Sequence, residues 1–178
     1  GCRTACGEGP PPRDLGMDTS GLTLTDQTGQ PFTLDSLRGE QSVLLYFGFT
    51  HCPDFCPATL SKIKRVYRIL GSRSRHVQTI LVSVDPERDT PERLARYLEY
   101  FEIGAIGLSG TPEEVAGFAK RFAVHYSQQP LVAGSDDPVD ENTAYTVDHY
   151  TGLLLIDEAG RVRHVFQHGD SPQLIAET

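Results

Sequence analysis

The chain has 178 residues, of which 38% are hydrophobic and 22% charged, with a formal net charge of −8. That length suits one globular domain with a sizeable core, and the acidic balance, without any basic patch, argues against nonspecific nucleic-acid binding. The longest apolar run is about eight residues around Val43 to Phe49, against roughly 20 for a bilayer span, so no transmembrane segment is expected here.

The four cysteines fall in two pairs, Cys2 with Cys6 and Cys52 with Cys56. This is far too sparse for a disulfide scaffold. Residues 1–20 open with "GCRTACGEGPPPRDLG", Gly/Pro-rich and poor in apolar residues, and read as a flexible leader. A Gly-Cys start is also what remains near the cleavage point of a bacterial lipoprotein signal, with Cys2 as the lipidated terminus. The alternative is that Gly1 is a remnant of preparation and Cys2 a stray thiol. In both readings any export signal is expected to have been removed already. Residues 21–178 are expected to form the folded domain.

Along that domain, "LTLTDQTGQPFTL" alternates around a Gln-Thr-Gly-Gln turn and predicts a hairpin. Val43 to Phe49 is apolar without interruption, as in a strand buried on both faces. From Pro57 to Leu70, Ile63, Val66, Ile69 and Leu70 recur at helical spacing while Lys62, Lys64, Arg65 and Arg68 face out. "VQTILVSVD" predicts a second buried strand and "TPERLARYLEYF" a helix with Thr90 as N-cap and Pro91 first. "AIGLSG" is a short strand, and "TPEEVAGFAKRFAVHY" a helix opened by a capping box of Thr111 and Glu114. "SQQPLVAGSDDPVDENTAY" reads as a polar loop, "GLLLIDEAGRVRHVFQ" as a second hairpin, and "SPQLIAET" as the start of a last helix. Strands alternating with helices and closing on a hairpin predict a three-layer α/β domain, thioredoxin-like with an N-terminal hairpin and insertions.

"FTHCPDFCPATL" puts two thiols at the junction of a strand and a helix, where a thioredoxin-type redox motif would sit. Because Pro costs nothing at the first helical position, the regular helix is placed at Pro57, with Cys56 at or beside its N-cap. Both sulfurs would then lie near the positive end of the helix dipole, which lowers thiol pKa. Thioredoxin-type enzymes use two intervening residues, and here there are three. Four positions at a helix start span roughly 6 Å between Cα atoms, within disulfide reach and equally suited to two ligands on one metal. A structural disulfide, inert buried thiols, a dithiol redox couple and a metal site all remain open on these residues alone.

A metal site needs a third ligand, and there are six histidines. His51 adjoins Cys52 but should point away from it along a continuing pleat. His76, His125, His164 and His168 read as surface or edge residues. His149, in "TVDHYTGLLLID", precedes a buried strand, in a loop that approaches the cysteine turn in a thioredoxin-like domain. Asp148 is a candidate weak ligand or a partner orienting His149, or simply a turn residue. Asp85, Pro86, Asp89 and Thr90 are explained by a turn and a cap, with a share in partner docking as the functional alternative. The acidic run Asp136, Asp137, Asp140 and Glu141, within residues 135–146, reads as a solvated loop that a basic partner such as a cytochrome could use.

Taken together and in order, "YFGFTHCPDFCP", "VSVDPERDTPERL", "IGLSGTPEEV" and "VDHYTGLLLID" resemble the Sco/SenC family from about Gly21 onward. These are thioredoxin-like copper-binding proteins that assist assembly of the binuclear CuA site of cytochrome c oxidase. The resemblance implies that Cys52, Cys56 and His149 bind copper. It also implies as partners the oxidase subunit carrying CuA, and another copper chaperone or a thioredoxin-like reductant. The implied location is the periplasm or the outer face of the bacterial cytoplasmic membrane, anchored through Cys2 if that residue is lipidated. The stretch between Tyr126 and His149 is longer than the family pattern, and Tyr150 stands where a small residue is expected.

The donor set agrees with copper on chemical grounds. Two thiolates select Cu(I), and an imidazole adds capacity for Cu(II). A structural zinc site would want a fourth protein ligand. The second functional expectation is a thiol–disulfide oxidoreductase that keeps the target's cysteines reduced, with Cys52 and Cys56 as the redox pair. A peroxidase of the peroxiredoxin kind is disfavoured, because Phe49 rather than Thr stands three residues before Cys52.

Overall fold

The computed structural model describes residues 17–52, 55–130, 145–149 and 152–178, with the side chains of 55, 128–130 and 145–149 excepted. Residues 1–16 of the expected leader, the acidic run and Tyr150 lie outside these residues; of the leader's last four residues, which are described, Thr19 is buried and donates to the Gly160 carbonyl through its N–H at 3.3 Å and its hydroxyl at 2.8 Å.

The predicted N-terminal hairpin is β1 (Thr23–Asp26) and β2 (Pro31–Thr33), paired antiparallel. The chain continues through β3 (Ser42–Gly48), α1 (Phe55–Leu70), β4 (Val77–Ser83), α2 (Pro91–Glu99), β5 (Ile106–Ser109) and α3 (Pro112–Arg121). It then forms β6 (Tyr126–Pro130), β7 (Tyr145–His149), β8 (Leu153–Ile156), β9 (Val162–Phe166) and α4 (Pro172–Glu177). One seven-stranded sheet runs in the order β2-β1-β5-β4-β3-β8-β9, while β6 and β7 pair with each other in a separate two-stranded sheet.

The parallel trio β3, β4 and β5 forms the centre of the large sheet. Its residues are apolar without alternation because both faces are covered. Tyr46 on β3 is in register with Leu81 on β4, and Leu81 with Gly107 on β5, so these three share one face. Helix α1 covers that face, where Thr59 meets the Tyr46 hydroxyl. Helix α2 covers it as well, since a Cβ on Gly107 would lie 2.9 Å from Leu98 and 3.2 Å from Leu94. The alternate face carries Phe47, stacked edge-on against Phe118 of α3 and against Phe122, at centroid distances of 6.2 and 5.8 Å. The three-layer arrangement follows directly from the period of two.

Helices α2, α3 and α4 begin with the same device. Thr90, Thr111 and Ser171 each accept a hydrogen bond from the backbone N–H three residues on, and each is followed by proline. The capping box of Thr111 and Glu114 is formed in both directions.

Two expectations about the elements are corrected. Helix α1 is already formed at Phe55, so Cys56 lies in its first turn rather than at an N-cap before Pro57. Proline is tolerated there because the first four helical N–H groups have no intrahelical acceptor anyway. The polar stretch after Tyr126 is not all loop, because β6 pairs antiparallel with β7, Tyr126 facing His149. His149 therefore ends a strand instead of sitting in a connecting loop. Ser, Gln and Pro carry no apolar alternation, so only the cross-strand pairing reveals this ribbon.

The ends of β3 and β4 are joined by one buried carboxylate. Asp89, 1% exposed, accepts from the Ser83 hydroxyl at 2.6 Å, the Thr50 hydroxyl at 2.6 Å and the Thr50 backbone N–H at 3.1 Å. Burial raises its pKa, and these donors pull the other way. Its own N–H bonds the Asp85 carbonyl at 2.9 Å, and Arg88 pairs with the Asp85 carboxylate, both side chains being buried. Asp89→Ala strands three donors in a dry site and should cost about 3 kcal/mol of unfolding free energy in urea titration, with a smaller loss for Asp89→Asn. A change within about 0.5 kcal/mol for the alanine variant would show that the carboxylate holds nothing.

Candidate metal centre

Strand β3 ends at Gly48, and the chain turns through Phe49, buried at 1% exposure, to Cys52. The Cys52 N–H donates to the Phe49 carbonyl at 3.3 Å, closing that turn. Cys56 then enters the first turn of α1. Both sulfurs are thiols, and both are buried, with Cys52 at 6% and Cys56 at 0% exposure.

Gly48 gives the second sulfur its room. A Cβ on this glycine would lie 2.7 Å from the Cys56 Sγ, 3.0 Å from Tyr46 and 3.1 Å from Leu81. The sulfur therefore rests on the backbone of β3, beside the Tyr46 hydroxyl that bonds it. Burial, with the Cys56 charge next to it, raises the pKa of Tyr46, which stays a neutral phenol.

The thiol pKa contradicts the expectation drawn from the helix dipole. Cys56 is raised, first by its hydrogen bond with Cys52, then by burial and by the Cys52 charge. A bond from the Phe49 backbone and one from Tyr46 oppose this without overcoming it. The apo pair thus holds a proton on Cys56, directed at Cys52.

Of the three residues expected to hold a metal, the structure brings Cys52 and Cys56 together. His149 ends β7 opposite Tyr126, with Asp148 opposite Ser127; the side chains of both lie outside the described residues.

A second group escaped the sequence reading. The potential ligand atoms of His51, Asp85 and Asp89 all lie within 4.8 Å of one another. Their hydrogen bonding explains the cluster without an ion, since Asp85 takes Arg88 while Asp89 takes Ser83 and Thr50. Burial, followed by Arg88 and Arg93, lowers the His51 pKa and keeps the ring neutral. The only sequence signal was two aspartates four apart after a buried strand, which a turn explains equally well.

The SCO1/SenC family model matches residues 18–178. The chain belongs to the SCO1/SenC family. It is 39% identical over 154 residues to an SCO2-like protein of Rickettsia felis, covering 86% of this chain and 71% of that one. The structure of Bradyrhizobium japonicum ScoI with copper bound superposes with a TM-score of 0.74 at 38% identity, over 88% of this chain and 93% of the other. Yeast Sco1 with copper bound gives 0.74 at 31% identity, over 88% and 82%. The thioredoxin-like fold expected from the sequence is therefore the fold of this Sco-family chain. No helix among its described residues is long and apolar enough to cross a membrane.

Two outcomes follow from the dithiol's surroundings. In reduced apo protein the folded state keeps the Cys56 proton beyond the ordinary thiol value of 9.0, so above that pH the unfolded chain binds fewer protons and stability falls. The limiting slope for one proton is about 1.4 kcal/mol per pH unit. Urea titrations from pH 7 to 10.5 should show the parent losing stability relative to Cys56→Ser above pH 9, and a pH-independent difference would refute the raised thiol. Separately, Gly48→Ala should cost about 1–3 kcal/mol by overpacking. That cost should shrink in a Cys56→Ala background, with a coupling of at least about 0.5 kcal/mol in the double-mutant cycle. Strict additivity would mean that the sulfur does not rest on Gly48.

Proposed function

We propose that this chain is a copper metallochaperone that binds one copper through Cys52, Cys56 and His149 and delivers it to the CuA site of cytochrome c oxidase. Its place of action is the periplasm or the outer face of the bacterial cytoplasmic membrane. The observation that carries this reading is the buried pair of thiols at the β3–α1 junction, hydrogen-bonded to each other and seated on Gly48. Family membership and two copper-bound structures of relatives at 38% and 31% identity support it.

The chemistry is consistent with a cargo that must arrive and leave. Copper replaces protons, so loading releases the one held on Cys56 and affinity rises with pH. Thiolates favour Cu(I), and the imidazole of His149 extends the set to Cu(II). Tyr46 and the Phe49 backbone donate to the Cys56 sulfur and stabilise its thiolate once the proton has gone. Exchange with an external disulfide, which takes the two electrons and leaves as two thiolates, joins Cys52 and Cys56 as a disulfide and removes both sulfur ligands, so loading depends on redox state.

The second reading, a thiol–disulfide oxidoreductase, draws on the same reduced pair. The Cys52 and Cys56 dithiol would exchange with a target disulfide to give the Cys52–Cys56 disulfide and two target thiols, both protons passing to the target. Titration of reduced protein with Cu(I) and Cu(II) separates the two. Copper binding predicts one ion per chain, a thiolate-to-Cu(II) charge-transfer band that vanishes in Cys52→Ser and Cys56→Ser, and a loss of Cu(II) affinity exceeding about 100-fold in His149→Ala, more than an outer partner would cost. Parental affinity in His149→Ala would remove that residue from the ligand set. Rapid exchange with glutathione disulfide without copper retention would favour the oxidoreductase.

A further inference from the structure

Helix α2 presents Arg93, Arg96 and Tyr97, and its C-cap Tyr100, still helical in backbone conformation, follows at offsets of three, four and seven, which places them along one face. Arg93, Arg96 and Tyr100 are exposed, Tyr100 at 81%, the highest value among the exposed large hydrophobic residues described. Among the described residues, ion pairs engage Arg38, Lys64, Arg88 and Arg163, but neither Arg93 nor Arg96. A cleft of about 660 Å³ separates this face from Thr50 and His51, the two residues before Cys52. Arg88 completes its basic lining, Glu92 is the one acidic residue among the described lining, and the Tyr97 hydroxyl is buried at its wall with no hydrogen-bond partner among the described residues.

Two exposed guanidinium groups without ion pairs on a chain of net charge −8 are a local reversal of sign. Guanidinium takes carboxylate in a fixed bidentate geometry, and Arg and Tyr are the residues most concentrated at the energetic centres of protein interfaces. From Arg93 to Tyr100 the face runs about 10 Å at 1.5 Å per residue, and Tyr100 lies outside the cleft lining. A small dicarboxylate in the cleft would leave that ring untouched, whereas a peptide segment reaches both.

We propose that the α2 face from Arg93 to Tyr100, together with the Thr50–His51 wall of the cleft, is a docking surface for an acidic segment of the protein that receives copper. The assignment of that partner as a copper acceptor rests on the function proposed above; the acidic character of the segment rests on the arginines. On a chain of net charge −8, the arginine stripe is the attractive point of entry for an acidic segment and so sets the orientation of approach. The attraction is shared by charges within about 10 Å and is screened at ordinary salt.

The test uses the full chain with two probes, fluorescent decaglutamate read by anisotropy and the apo CuA domain of an oxidase as copper acceptor. Arg93→Glu/Arg96→Glu is compared with Arg73→Glu/Arg75→Glu, an identical charge change on exposed residues that precede β4 rather than follow it. Decaglutamate should bind the parent in a salt-dependent manner, about tenfold more weakly to the α2 variant, and unchanged to the control. Tyr100→Ala should also weaken it, which a purely electrostatic effect would not. Transfer of copper to the CuA domain should slow at least about tenfold in the α2 variant while its own copper content and absorption stay parental. No binding to the parent, or equal weakening in variant and control, overturns the docking surface. Discrimination by decaglutamate with no transfer by the parent supports the surface and overturns copper delivery instead.

Discussion

Asp89 is buried to 1% exposure and close to a second carboxylate, a position that is costly unless its lone pairs are answered. They are answered by Ser83, which ends β4, and by Thr50, which follows β3. The two loops at this edge of the sheet therefore cannot move independently. His51 and Cys52 follow directly from this joint, while Cys56 is held in the first turn of α1. Arg88 and Asp85 lock the remaining turn with a buried pair of their own, so the frame for the thiols is polar and rigid where the sheet below is apolar.

Within that frame two effects compete for the Cys56 proton. A helix N-terminus stabilises a charge in its first turn by up to about 2 kcal/mol, whereas full burial shifts a titrating group by as much as 3–5 pKa units. The sulfur is fully buried and hydrogen-bonded to another thiol, so burial and the shared proton prevail. The dipole argument used the right location and the wrong environment. On the proposed function, a soft cation held by both sulfurs would supply the compensating charge that the dipole alone does not.

The parts of the fold legible in the sequence were those with strong local chemistry. Three Ser/Thr-Pro starts, two buried strands and two hairpin turns each carry their own signal, and the structure contains them all. The β6–β7 ribbon was missed because Ser127, Gln128 and Gln129 lack an apolar face, and pairing across a long connection leaves no local trace. Helix α1 was begun too late because Pro57 was given the first position, although any of the first few tolerates it. At the site, spacing found the two cysteines, and the remote Asp89–Thr50 bond, 39 residues apart, was read only as a turn and a cap. Long-range polar contacts of that kind follow from topology, which a single chain does not spell out.

The burial of both thiols also limits how they can exchange anything. At 6% and 0% exposure neither sulfur meets a partner without rearrangement. Thr50 is tied to Asp89 and Cys56 is seated on Gly48, so the cysteine turn is anchored on both sides. Thr50 and His51, on the Asp89 side of that turn, also form a wall of the basic cleft. A protein docked against α2 would therefore press on the anchored flank of the cysteine turn. On the proposed reading, binding energy gained at Arg93, Arg96 and Tyr100 is available to offset the cost of exposing Cys52, which couples recognition of the partner to release of the cargo.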